Sequence, residues 1–189
     1  NPTRGGTYAP WEYQYLINDY YAEQRRKEAV LVSTAEGQDI ICFFGHGDPG
    51  GWCGVIGDWP LTASRMEEGE PDLGGRNPIV IAFACDTGNY RTVPREGYEA
   101  LNPNPSISER FLESGAGAYL GAIIPMPYWQ MDEMVSMLFW EYWSADRSIG
   151  ETLQDLKDDL IRDPDWIKFI RYFNLYGDPA FGDPRYRGR

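Results

Sequence analysis

The chain has 189 residues, an apolar fraction of 42% and a formal net charge of −12. That length sets one domain, or most of one, with a sizeable core. With 17 basic residues against 29 acidic ones, the chain lacks the basic face that nucleic-acid phosphates require; the acid excess suits a cationic partner or bound cations. No run approaches the roughly 18 apolar residues of a membrane span. The sequence opens on Asn1 with neither a methionine nor a signal peptide, so it reads as a mature or excised piece of a longer precursor.

In chain order, residues 1–10 read as a loop with Gly5, Gly6 and Pro10. From Trp11 to about Glu36 apolar residues recur at three and four positions (Tyr13, Leu16, Ile17, Tyr20, Tyr21), which predicts a helix stopped by Gly37. Ala29 to Thr34 also suits a short strand; helix is favoured. Asp39 to Gly47 is an apolar run ending at His46, and Pro78 to Gly88 is a second ending at Cys85. Both are short, rich in β-branched and aromatic residues and bounded by Gly or Pro, the pattern of buried parallel strands. Between them lie a glycine-rich loop (Gly47 to Gly54), a short helix over Leu61 to Glu68, and a polar loop from Gly69 to Asn77.

After the second strand comes a long irregular stretch from Asp86 to Pro105, and loops of that length are usually functional or mobile. Ser106 and Glu109 have the spacing of a capping box, so a helix is expected from Ile107 to Gly115. Gly117 to Ile124 reads as a third buried strand, broken by Pro125 and Pro127. Helices follow over Trp129 to Trp143, Ile149 to Ile161 and Trp166 to Tyr172, and Phe173 to Pro179 is a strand running into a turn. Strands alternating with helices imply an α/β layered fold. The few visible strands imply that others lie upstream of Asn1 or in a partner chain.

The chemistry concentrates at the two strand ends. His46 and Cys85 fall just past the C-terminal ends of two strands, the edge where open α/β sheets bind ligands. A thiol attacks as thiolate, and an imidazole beside it can take its proton. Attack on a carbonyl creates an oxyanion, for which the backbone N–H groups of Gly47 and Cys85 are the candidate donors. Three cysteines without a CxxC pair, and a single histidine, disfavour a zinc site. The odd count leaves at least one thiol unpaired. Cys42, in mid-strand between Ile41 and Phe43, is expected to be buried and inert. Cys53, among glycines, is exposed, paired or inert. Glu109 and Asp178 have local explanations, as a helix cap and as an Asx-type turn acceptor.

The order Gly45-His46-Gly47, Cys85-Asp86-Thr87-Gly88-Asn89-Tyr90, Ser106 to Glu109 leading into Ser114-Gly115-Ala116-Gly117-Ala118, Gly150-Glu151-Thr152, and Tyr176-Gly177-Asp178-Pro179 resembles the gingipain-like cysteine peptidases of the caspase-like clan. Each motif is weak alone; together they are specific, and they cover residues 38 to 181. The resemblance implies a caspase–haemoglobinase-like α/β three-layer sandwich with a mostly parallel sheet, the N-terminal part of the domain lying outside this chain. It implies peptide-bond hydrolysis by Cys85 and His46, an extracellular or cell-surface setting, and no required cofactor. Calcium enters as a possible structural ion, although no loop here matches an EF-hand.

A preference for Arg or Lys before the cleaved bond is expected from the acidic residues near the motifs. Asp86 is the candidate carboxylate, alongside Asp48, Asp132 and Glu133 or one upstream of Asn1, and Tyr128 or Trp129 would wall the aliphatic stem. The expected partner is a peptide or protein substrate, with the rest of the precursor or a second chain as a further one. Two other functions fit the same residues: a peptidase-like binding or structural module of a cell-surface assembly, whose 7 tryptophans would cover a partner, and an enzyme that processes only its own precursor.

Overall fold

The computed structural model describes residues 37–53, 61–66, 70–73, 75–90, 105–127, 139–144 and 146–181. The helix expected before Gly37, most of the stretch between Tyr90 and Pro105, the front of the Trp129 to Trp143 helix, and the C-terminal tail lie outside the described residues. In chain order the strands are β1 (Ile40–Phe44), β2 (His46–Asp48), β3 (Gly51–Cys53), β4 (Leu61–Thr62), β5 (Ile79–Phe83), β6 (Ala118–Ala122) and β7 (Phe173–Gly177). The helices are α1 (Ile107–Glu113), α2 (Ile149–Leu160) and α3 (Ile167–Tyr172).

The central sheet has the order β1-β5-β6-β7. The β1–β5 and β5–β6 pairs are parallel, and β6–β7 is antiparallel, so the sheet is mostly parallel. Alternation along β5 divides the core in two. Ile79, Ile81 and Phe83 face one side, where they join Leu120, the Ile149, Leu153, Leu156 and Leu160 stripe of α2, Phe169 of α3, and Phe173. Val80 and Ala82 face the other side, with Ile107 and Phe111 of α1, Tyr119, Trp52 and Leu61. Helices thus cover one face, and α1 with a small β2-β3-β4 sheet covers the other. This is the three-layer sandwich.

Local chemistry sets most element ends. Ser106 accepts from the Glu109 N–H while the Glu109 side chain reaches back to the Ser106 N–H, a complete capping box at the start of α1. Gly115 follows its end in the left-handed region (φ 99°). A second capping box, Ser148 with Glu151, starts α2; the same Ser-x-x-Glu spacing stood in the sequence. The Ile149 and Gly150 N–H groups donate to the carbonyls of Phe181 and Pro179. A Cβ on Gly150 would lie 2.7 Å from the Pro179 oxygen. The Gly150-Glu151-Thr152 and Tyr176-Gly177-Asp178-Pro179 motifs are therefore two sides of one contact. Asp178 accepts from the Ala180 N–H at 2.9 Å, the expected Asx turn.

Three expectations are corrected. The glycine-rich loop after His46 is a hairpin, β2 pairing antiparallel with β3 across Pro49-Gly50. Leu61 to Glu68 does not open as a helix: Leu61 and Thr62 extend β3 as β4, and only Ala63–Arg65 forms a 3-10 turn, because pairing with Gly51 and Trp52 outweighs local preference. Cys42 is exposed rather than buried. Among the described residues β1 pairs on one edge only, and the helical layer covers Ile40 but leaves Cys42 and Phe44 of the same face open. Neighbouring apolar groups push the Cys42 thiol up to about 12; the open surface, which lets water reach a thiolate, argues for a smaller rise.

Candidate active site

The register of β1 on β5 sets Phe44 opposite Phe83, and the Gly45 N–H donates to the Phe83 carbonyl at 3.4 Å. His46 and Cys85 each stand two residues beyond that matched pair, at the C-terminal edge of adjacent parallel strands. His46 is exposed and Cys85 half-buried. None of the three cysteines is in a disulfide, and Cys53, buried in β3, stands opposite His46 across the hairpin.

The turn Cys85 to Gly88 is built onto β6. Asp86 adopts φ 54°, a left-handed conformation that Asp tolerates better than most residues. The Asp86 N–H donates to the Ile124 carbonyl, and the Gly88 N–H to Ala122 at 2.8 Å. A Cβ on Gly88 would lie 2.6 Å from the Gly121 oxygen, so the turn lies flush on the strand only with glycine there. The Cys85 sulfur accepts the Met126 N–H at 3.3 Å and its thiol reaches the Met126 carbonyl at 3.5 Å, which orients the sulfur from the segment following β6.

Gly47 joins the two halves. A Cβ there would collide with the Thr87 methyl and lie 3.0 Å from the Cys85 carbonyl and 3.1 Å from the Ala84 Cβ. The second glycine of Gly-His-Gly is thus required by packing: it lets the His46 segment lie directly on the Cys85 turn.

Two buried acids adjoin these motifs in the chain, Asp48 after Gly47 and Asp86 after Cys85. Asp86, the candidate substrate carboxylate, is only 7% exposed. Asp48 is 5% exposed; its Oδ1 accepts the Gly50 N–H at 2.6 Å, while its buried Oδ2 has no hydrogen-bond partner. Burial raises the Asp48 carboxyl to about 6, and the like charge of Asp86 adds to that, against the Gly50 and Gly51 N–H groups. Tyr128 and Trp129, the candidate pocket wall, lie outside the described residues, as do Asp132 and Glu133. Glu109 and Asp178 serve the local roles expected. Among the described residues no group of three or more His, Cys, Asp or Glu gathers as a metal cage.

Sequence reasoning missed the Met126 contact, the burial of Asp48, and a buried polar path running from Trp52 to Tyr119. None of these has a local signal. The nearest hint was Pro49-Gly50, whose turn folds Trp52 back over the motif.

The sequence model of Peptidase family C25 matches residues 4–182. The fold is similar to the complex of Porphyromonas gingivalis RgpB pro- and mature domains (TM-score 0.54, 16% identity, 82% of this chain and 36% of that chain). It is also similar to the Arg-specific cysteine proteinase gingipain R (TM-score 0.58, 15% identity, 82% of this chain and 35% of that chain). The chain spans about a third of the length of those chains. No curated protein matches the sequence.

Proposed function

The chain belongs to Peptidase family C25, and on that premise we propose that it is a cysteine endopeptidase in which Cys85 is the nucleophile and His46 the general acid–base. The observation that carries this reading is the matched placement of the two side chains, two residues beyond Phe44 and Phe83 on paired parallel strands. His46 takes the Cys85 thiol proton, the sulfur attacks the scissile carbonyl, and His46 returns the proton to the departing amine. Water, activated by the same imidazole, then hydrolyses the thioester. The N–H groups of Gly47 and Cys85 are the proposed oxyanion donors. The reaction uses thiol and imidazole alone and needs no cofactor. Any calcium would be a structural ion.

The proposed substrate carries Arg or Lys before the cleaved bond. Support comes from the acid excess of the chain, from the two acids beside the dyad, and from the solved relative described as Arg-specific. Because Asp86 is largely buried, the proposed pocket has it at its floor, with Tyr128 and Trp129 as walls. The proposed setting is extracellular or at the cell surface. The remainder of the precursor or a second chain is the proposed protein partner, supported by the similarity to a pro- and mature-domain complex and by the edge of β1, which pairs with no strand among the described residues and where Phe44 is 43% exposed.

The test is turnover of fluorogenic peptides with Arg, Lys, Asp and Asn before the reporter, alongside Cys85→Ala and iodoacetamide mapping. Labelling at Cys85, Arg and Lys cleavage, and an inactive Ala variant are expected. Labelling of Cys42 or Cys53 with Cys85 inert would remove the mechanism. Equal turnover of Arg and Asp peptides would remove the specificity.

A further inference from the structure

We infer that Tyr119 is a positioning residue whose phenol ties the hairpin carrying His46 to the turn carrying Cys85; this rests on the dyad reading above. The Trp52 indole N–H donates to the Tyr119 hydroxyl at 3.2 Å. The Tyr119 hydroxyl is also hydrogen-bonded to the Thr87 side chain, and the Thr87 hydroxyl donates to the Ala84 carbonyl at 3.3 Å. The Tyr119 oxygen thus lies between a side chain of the hairpin and a side chain of the turn.

The ends of this path matter more than its length. Trp52 stands opposite Gly47 in the β2–β3 register, one residue from His46. Thr87 lies two residues past Cys85, and its methyl fills the space a Gly47 side chain would take. Tyr119 sits between them on β6, with its partner on β5 being Val80. All three side chains are buried, so the polar path is shielded from water, where a hydrogen bond holds its geometry best. Burial pushes the Tyr119 phenol up, which keeps it neutral.

Packing does not require the hydroxyl. The Tyr119 ring packs against Phe111 in a cluster that is otherwise apolar, and phenylalanine would fill that space. Burying an unpartnered hydroxyl is unfavourable; here it has partners on both sides, one from each half of the dyad. The observed arrangement therefore assigns the oxygen a coupling role.

Tyr119→Phe should lower kcat about tenfold with KM within about twofold, since the dyad loosens while substrate contacts remain. Amide exchange should quicken together in residues 46–53 and 84–88. Thr87→Val should give the same effect, and the double variant should cost little more than either alone. Thr87→Ser, which keeps a hydroxyl, should recover most of what Thr87→Val loses. An unchanged kcat in folded Tyr119→Phe, a rise confined to KM, faster exchange in only one segment, or fully multiplicative losses would each overturn the assignment. If the unaltered protein cleaves no peptide, the peptidase reading fails and the catalytic half of this inference goes with it. The exchange measurement then decides by itself whether the tie exists.

Discussion

Strands β1 and β5 are equal in length and alike in residue type: Ile-Ile-Cys-Phe-Phe against Ile-Val-Ile-Ala-Phe. They pair in register along their whole length, and each leads into one candidate catalytic residue. Their surroundings differ. Every residue of β5 is buried between β1 and β6, whereas β1 is half-open, with Cys42 and Phe44 exposed. The strand that leads to Cys85 is thus locked into the sheet, and among the described residues the strand that leads to His46 is held through β5 and through the hairpin that folds over it, where Phe43 stacks on Trp52 at 4.7 Å. The difference teaches that the proposed dyad would have one half set by the sheet itself and the other set by contacts made after the strand ends.

The largest effect that separates the two strands is chemical. Cys85→Ala should remove peptide turnover by about a thousandfold or more, while Cys42→Ala should stay within about twofold; comparable losses from both, measured as kcat/KM, would break the contrast. Next is packing. Phe83 is fully buried and stacks on Phe173 at 5.5 Å, so Phe83→Ala should cost about 3–5 kcal/mol. Phe44→Ala on the open strand should cost less than about 1 kcal/mol. Urea denaturation of both variants measures this, and equal losses would mean that β1 is covered in solution.

A third test uses pH. The Asp48 carboxyl, beyond β1, is raised from 3.8 to about 6 in the folded chain. The folded state therefore holds its proton more tightly than the unfolded chain does, and stability from this group is present below about pH 4 and lost as pH rises through 6. Asp48→Asn should gain on the unaltered protein across that window, by up to about 3 kcal/mol. A stability difference independent of pH, in denaturation from pH 4 to 7, would contradict the burial of Asp48. The smallest effect belongs to the open surface: Cys42→Ser should change stability by less than about 0.5 kcal/mol, where a buried thiol would lose more.

What could be read from residues alone was what neighbours in the chain decide. Ser106 and Glu109 are three residues apart, and a capping box needs nothing else. Gly115 ends α1 because only the backbone there must turn left-handed, and Asp178 closes its own turn onto Ala180. The apolar runs ending at His46 and Cys85 announced strands because β-branched and aromatic residues favour a pleated, buried setting wherever it is found. The α/β class and the family motifs followed from the same local patterns taken in order.

Tertiary structure decided what those elements touch. Nothing in Ile40 to Phe44 says that Cys42 and Phe44 are exposed, because exposure depends on which other segments pack against the strand. The helix read at Leu61 gave way to a strand because β3 offered unpaired backbone groups. The burial of Asp48, the Met126 N–H on the Cys85 sulfur, and the Trp52–Tyr119 bond spanning 67 residues arise from contacts between segments distant in sequence. Such contacts leave no periodicity, since each depends on a surface that another part of the chain supplies. The sequence could place a thiol and an imidazole at two strand ends; the pairing of β1 with β5 and the close approach at Gly47 put those ends side by side.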